Sequence, residues 1–359
     1  MAQIAPFVLL VVLPLAYDAS GAISCLIPPA LFVGFALGEI AVGAEFGNKT
    51  SGLRRRATSQ GATSRGAAIA RRAALWLYVP AQLAAMLWAT ARAGQETELV
   101  PFLALASSIG MTAGVFGMLT AHELIHSRYQ AERALGLAML AGVNYMHFRI
   151  SHVFGHHRRA GTHCDPATAR QGESAFHFIL RSIAGQFAEA WCHERRRANR
   201  GWRAIVGNRV HRYVAVELAV VSITAAAFGR SGVAFVLVES AVAIVCLELF
   251  NYISHYGLMR RRSADGSTEP FGPAHSWNAA HRIDNWFLLN AGRHAHHHRA
   301  PSLAYSQLVA TVPAPDLPYG IAGSMLLALV PPLWRRVMDP ILDDWQCSPA
   351  ALPPGYGSL

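Results

Sequence analysis

The sequence predicts an all-α integral membrane protein, a bundle of six transmembrane helices carrying a cytoplasmic histidine-rich cap. Three observations lead there. Of the 359 residues 53% are hydrophobic and only 14% charged, the profile of a membrane protein. The apolar residues come in long runs rather than in an amphipathic scatter. All 17 histidines fall after residue 121.

A helix needs about 20 apolar residues to cross the hydrocarbon core. Residues 5–17 (APFVLLVVLPLAY) are short for this, but they lack the basic start and small-residue cleavage site of a signal peptide and read as a first span. Residues 22–43, 73–92, 101–121, 213–229 and 232–252 complete six spans in three hairpins. Glu39 and Glu248 must then sit near a span end or face protein. Stretches 134–148 and 320–333 are weaker and lie at or just inside the surface. The segment 122–212 is too long for a connection and rich in arginine and tryptophan, so it forms a folded cap continuous with the bundle. One membrane domain over 1–345 and a frayed tail at 346–359 account for the chain.

Arginine sets the orientation. Lys49, Arg54, Arg55, Arg56, Arg65, Arg71 and Arg72 lie between spans two and three, whereas YDASG (17–21) and GQETEL (94–99) carry only acidic charge. The basic side is cytoplasmic, which puts 122–212 and everything from 253 onward in the cytoplasm, on the inner membrane. The net charge of +10 belongs to arginines flanking apolar spans, so it argues for topology and against a nucleic-acid partner. The five cysteines include no CxxC pair, which excludes a zinc ribbon, a built-in rubredoxin module and a disulfide framework.

The histidines form four clusters at one membrane face. In HELIH (122–126), His122 and His126 share a helix face and can grip one metal; read alone, the motif is that of a zinc metalloprotease with Glu123 as base. In HVFGHH (152–157), His152 and His156 repeat the four-residue spacing, and His157 adds a donor about 100° around the helix. His255 stands in NYISHYGL (251–258), just past span six. RHAHHHRAP (293–301) contributes His294, His297 and His298, with His296 left over. A single histidine on an apolar face is more often a hydrogen-bonded core residue; nine in clusters at one mouth of the bundle call for metal. Nine donors exceed what one zinc accepts, so two metals share them. Imidazole suits zinc, copper, iron and nickel alike. The placement where apolar helices end, beside a hydrocarbon tail that only activated oxygen attacks, favours iron.

HELIH, HVFGHHRRAGTHCDPATARQGE (152–173), NYISHYGLMR (251–260) and HSWNAAHRIDNWFLLNAGRHAHHHRAPSLAYSQL (275–308) resemble, in order and spacing, the alkane 1-monooxygenase family. That family includes xylene monooxygenase-like members and belongs to the wider membrane fatty acid desaturase and hydroxylase group. The resemblance runs over about 101–312. It implies a non-haem di-iron centre, two Fe held by His122, His126, His152, His156, His157, His255, His294, His297 and His298. It further implies an O2-dependent oxidoreductase that turns a terminal methyl group into a primary alcohol. Electrons would come from a rubredoxin or ferredoxin-type donor and its reductase, and the substrate would be a hydrophobic hydrocarbon drawn from the membrane lipid. Cytoplasmic arginines such as Arg195, Arg196, Arg197, Arg260, Arg261 and Arg262 would steer an acidic donor.

Residues expected to orient the ligand rings are Glu123, Asp165, Asn251, His275, Asn278 and His281. Several neighbours depart from the family pattern. Ser254 stands where glutamate is usual in NYxEHYGL, Gly292 where glutamine commonly precedes RH, and AHHH replaces SDHH. His163 and Cys164 occupy the proline and acidic positions before Asp165 and Pro166. These changes point to a divergent member with its own methyl-bearing substrate. Two other functions compete with this one. A fatty-acyl desaturase or hydroxylase would run the same iron chemistry on a lipid tail, and a non-enzymatic membrane metal-binding or transport protein would only hold the ion. A transporter places its ligands near mid-membrane, whereas these histidines gather at one face.

Overall fold

The computed structural model describes residues 5–43, 65–197, 207–310 and 313–348. Lys49, Arg54, Arg55 and Arg56, and most of the expected tail, lie outside these described residues. The apolar runs are helical because hydrocarbon offers no partner for backbone N–H and C=O groups, which must pair within their own segment. Among the described residues the β structure consists of two isolated bridges, Arg262 with Thr268 and Asn278 with Asp316.

In chain order the longer helices are α1 (Ala5–Ser20), α2 (Ile27–Val42), α3 (Arg65–Ala93), α4 (Leu99–Thr112), α5 (Met118–Ile125) and α6 (Gln130–Gly142). They continue as α7 (Ala175–Arg197), α8 (Arg209–His255), α9 (Arg282–Phe287), α10 (His294–Arg299), α11 (Gly320–Ala328) and α12 (Pro331–Cys347). Four stretches are long and apolar enough to cross a membrane, by length and composition: Ala5–Val42, Ala68–Ala93, Leu99–Ile125 and Arg209–His255. Two of the four are broken at a glycine of positive φ. A 3-10 turn, Gly21–Leu26, separates α1 from α2 and opens at Gly21 with φ +63°. If straight, the 47 residues of α8 would extend about 70 Å, more than twice a hydrocarbon core of about 30 Å. The helix is instead broken at Gly229 (φ 65°, ψ −158°), a conformation open to glycine. Both breaks fall where the sequence predicts one span to end and the next to begin.

The described residues group into two compact units, one drawn from Met1–Phe32, Ser64–Phe154 and Gln186–Leu247, the other from Val33–Thr63, Gly155–Gly185 and Glu248–Leu359. In the first unit, small residues let α4 and the π-helical turn Ala113–Gly117 that follows it lie close against the second half of α8. A methyl group added at Gly110 would come within 2.6 Å of the Glu239 carbonyl oxygen, and one at Gly114 within 2.7 Å of Cys246 Cβ and 2.9 Å of Ala243 Cα. The four-residue spacing of these glycines is the small-xxx-small pattern of close helix pairs in membranes. Gly114→Leu should overpack this contact at a cost of about 1–3 kcal/mol and lower the thermal unfolding midpoint of the detergent-solubilised protein. An unchanged midpoint would contradict the close packing. At the end of α7, buried Glu194 accepts hydrogen bonds from Arg197 and Arg209. Burial would raise its carboxyl, but these guanidinium partners outweigh that and hold it down to about 2.

In the second unit, α2 packs on α9. Phe35 stacks on Phe287 with ring centroids 5.0 Å apart, and a methyl at Gly38 would meet Ile283 Cδ1 at 2.6 Å. Glu39, only 2% exposed, accepts the backbone N–H of Asp284 at 2.6 Å, and Glu248 is fully buried. Both membrane glutamates thus face protein. Asp284 in turn accepts the Ile321 N–H at the start of α11.

Candidate metal centre

The first unit gathers three histidines. His122 lies in the last turn of α5 and His126 closes that helix, so the four-residue spacing brings their ring centroids to 5.0 Å. His152 joins them, with its centroid 4.6 Å from His122 and 5.0 Å from His126. Its Nε2 is 2.9 Å from that of His122. Phe148, one turn earlier, stacks on the His152 ring at 4.8 Å. The ligand nitrogens of all three lie within 4.8 Å of one another.

The second unit gathers four more, from three separate stretches. His255 comes from the end of α8, His294 and His298 from successive turns of α10, and His156 from the end of the π-helical turn Ser151–His156. Their ligand nitrogens lie within 4.8 Å of one another, and all four rings are buried. The Nε2 atom of His298 is 3.2 Å from that of His156, 3.1 Å from that of His255 and 3.1 Å from that of His294. His255 and His294 are 3.2 Å apart. In the same unit His157 and His297 face each other, Nε2 to Nε2, at 3.2 Å.

Proton positions give this geometry its meaning. A neutral imidazole carries one N–H. His156 Nδ1 donates to Asp165 Oδ2 at 2.8 Å, and His255 Nδ1 donates to the His275 carbonyl at 3.1 Å. Both Nε2 atoms therefore present bare lone pairs to the middle of the cluster. Burial drives the His298 ring well below its ordinary value, which keeps it neutral. Lone pairs that crowd together repel unless a cation sits between them. Metal–imidazole bonds of about 2.1 Å give nitrogen–nitrogen edges of ~3.0 Å at right angles and ~3.4 Å in a tetrahedron; the observed edges fall between. The residues therefore fit a first-row metal ion, and the all-imidazole donor set suits iron among others.

The sequence expects His152 and His156 on one helix face, yet the two belong to different clusters. Ser151–His156 winds as a π-helix, whose wider turn moves residues four apart off a common face. The HxxHH spacing divides in the same way, with His294 and His298 in the four-histidine cluster and His297 opposite His157.

Of the residues expected to orient the rings, Asp165 touches His156 directly. His275 acts through its backbone carbonyl; its ring instead pairs with Glu269 at 3.0 Å and accepts the Gly272 N–H. Asn278 Oδ1 accepts the Ala295 N–H at 3.1 Å and so anchors the first turn of α10. Asn251 is buried one turn before His255, and Glu123 is half-buried beside His122. His281 packs against Gly320 next to Asp284, within the Glu39 pair. Sequence reasoning missed Thr168, whose hydroxyl donates to Asp165 at 2.6 Å. It also missed two aromatic walls: Phe271 stacks on His298 at 4.7 Å, and Phe250 meets His294 edge-on at 5.2 Å. Thr168 carried a signal, lying three residues beyond Asp165. Phe271 sits in a loop and carried none.

Burial pushes the Asp284 carboxyl up to about 7. In the unfolded chain it ionises near pH 4, so stability falls as pH rises from about 4 to about 7 and is level beyond. Asp284→Asn keeps an acceptor for Ile321 and removes the ionisation. Its stability relative to the parent should be greater at pH 8 than at pH 5 in thermal unfolding; an equal difference at both would contradict the assignment.

Residues 97–320 match the fatty acid desaturase family. The alkane 1-monooxygenase of Ectopseudomonas oleovorans is 36% identical over 273 residues, 75% of this chain and 68% of its own. Alkane 1-monooxygenase 2 of Pseudomonas aeruginosa is 37% identical over 270 residues, 73% and 71% of the two chains. The chain belongs to the fatty acid desaturase family, in its alkane 1-monooxygenase branch. A more distant relative is the xylene/toluene monooxygenase hydroxylase component of Pseudomonas putida, 27% identical over 243 residues, 66% of this chain and 64% of its own.

Within the alkane 1-monooxygenase branch, this chain's departures have local structural settings. The carbonyl of Ser254 accepts the Trp277 N–H at 2.9 Å and the Ser276 hydroxyl at 3.3 Å. Gly292 sits so close to Ala279 that an added methyl would lie 2.5 Å from its carbonyl oxygen; the longer side chain usual in the family needs a different backbone path here. His163 and Cys164 are exposed.

Proposed function

We infer that the protein is a membrane-bound, O2-dependent monooxygenase that converts a terminal methyl group of an alkane or alkyl-substituted hydrocarbon to a primary alcohol. One observation carries this reading: four buried imidazoles bring their ligand nitrogens within 4.8 Å of one another, in a chain more than one third identical to alkane 1-monooxygenases. Overall, R–CH3, O2, two electrons and two protons give R–CH2OH and water.

The proposed ligands are the nine histidines of the sequence reading. His156, His255, His294 and His298 would hold one iron, and His122, His126 and His152 would contribute to holding the other. The chemistry that the iron pair supplies when bound is reductive activation of dioxygen. The chain's own residues prepare for it. Asp165 and the His275 carbonyl fix the tautomers of His156 and His255. Asn278 sets the pitch of α10, so that His294 and His298 stay in register. Phe250, Phe271 and Phe148 clamp rings from the side and keep water from them. An apolar surrounding of this kind also suits a hydrocarbon chain better than any polar substrate.

The proposal extends to topology: six spans, made by the breaks at Gly21 and Gly229, with the histidines on the cytoplasmic face of the inner membrane. A rubredoxin or ferredoxin-type protein, reduced by its own reductase, would deliver electrons. A surface cavity lined by Arg260, Arg261, Glu269 and Trp345 has His275 in its wall, and the His275 carbonyl contacts His255. That basic cavity is where an acidic donor would approach.

Whole-cell turnover of n-alkanes, alkyl aromatics and fatty acids, with a rubredoxin system co-expressed, tests the reading. Primary alcohols are expected. An alkenyl lipid would make the protein a desaturase instead, and zinc uptake without oxygen consumption would make it a metal-binding protein.

A further inference from the structure

The carboxylate behind His156 is shared. Asp165 Oδ2 accepts two hydrogen bonds, from His156 Nδ1 at 2.8 Å and from the Thr168 hydroxyl at 2.6 Å, while Oδ1 takes the Ala167 N–H at 3.2 Å. The Thr168 oxygen itself accepts the Gly161 N–H at 2.9 Å, which leaves its own proton for Asp165 alone. Asp165 and Thr168 are 2% and 3% exposed, so water does not substitute for either partner.

A carboxylate that accepts a proton from a metal-bound imidazole makes the ring a stronger donor to the metal. A second hydrogen bond to the same oxygen draws charge away from it and weakens that pull, an effect that low dielectric magnifies. The loop has a second tether besides the Thr168 hydroxyl. Arg181 grips the backbone carbonyls of Pro166 and Thr168, each at 3.1 Å, and is itself paired with Glu173 at 2.7 Å.

We propose that Thr168 is a positioning residue that sets the reduction potential of the iron at His156, by holding part of the Asp165 charge away from the imidazole. The inference rests on iron occupying the four-histidine cluster. Without the hydroxyl, Asp165 pulls harder on the His156 proton, the ring gains imidazolate character, and the oxidised metal is stabilised. The potential therefore falls. Replacing the carboxylate itself has the opposite sign: Asp165→Asn leaves a weaker acceptor, raises the potential, and should cost roughly 10–100-fold in iron affinity.

The test is a spectroelectrochemical titration of the iron-loaded, full-length protein in lipid nanodiscs. Thr168→Val should shift the midpoint downward, Asp165→Asn upward, and Thr168→Ser should restore the parent value. A residue that merely shaped the loop would move valine and asparagine in the same direction. If the valine protein does not accumulate, Thr168→Cys, with its weak S–H donor, should give a smaller downward shift. A midpoint that Thr168→Val leaves unmoved or moves upward overturns the proposal. Parent protein that binds no iron would instead overturn the function on which it rests.

Discussion

His255→Ala should leave the four-histidine cluster without metal and bring methyl hydroxylation to background, a loss of roughly 10³-fold or more. The expectation follows from the position of the ring. Its Nε2 faces both His294 and His298, and its Nδ1–H is the bond that fixes the tautomer through His275. The helix that carries it ends there. His255→Gln, whose amide reaches about as far but is a weaker metal ligand than imidazole, should also lose metal while keeping the fold. Iron content and alcohol production, measured on the same preparation, check both variants. If the alanine variant kept its iron and its activity, the cluster would not be the centre.

Gly257→Val should be the most damaging substitution outside the ligands. Gly257 has φ +71°, where a branched residue costs about 1–2 kcal/mol, and an added Cβ would collide with Leu342 of α12. Overpacking adds about 1–3 kcal/mol more. The position also ties the end of α8 to the loop that carries Asp165, since its N–H donates to the Ala169 carbonyl at 2.9 Å. Valine should therefore lower the unfolding midpoint and reduce iron retention together, with alanine intermediate. A valine protein with parental stability and iron content would contradict that coupling.

Much of this was legible in the sequence, for identifiable reasons. Apolar runs long enough to span hydrocarbon have few other uses, and the interruptions at Gly21 and Gly229 fall at turn-forming residues between such runs. His122 with His126 could be paired from spacing alone because the pair sits on a regular helix, whereas the HxxHH set reads as one and divides between His297 and the pair His294 and His298. The same rule failed for His152 and His156, where a π-helix replaces the α-helix and nothing in the residue types announces it. His275 was recognised as a neighbour of the site, but its contact with His255 is a backbone carbonyl, which every residue has. His281 and Asn278 look alike in sequence, each a polar residue shortly before α10. Only the chain path sends one beside Asp284 and the other to the first turn of α10. Loop residues such as Phe271 reach His298 through tertiary folding, which leaves no local pattern to read.

The central claim is that these histidines hold two irons on which hydroxylation depends. Metal quantification on anaerobically purified, full-length protein, with turnover measured on the same sample, tests it most directly. Two irons per chain in the parent, and a fall to one with loss of turnover in His255→Ala, is the predicted result. Full turnover in protein that contains no iron, or parental iron and turnover in His255→Ala, would contradict it.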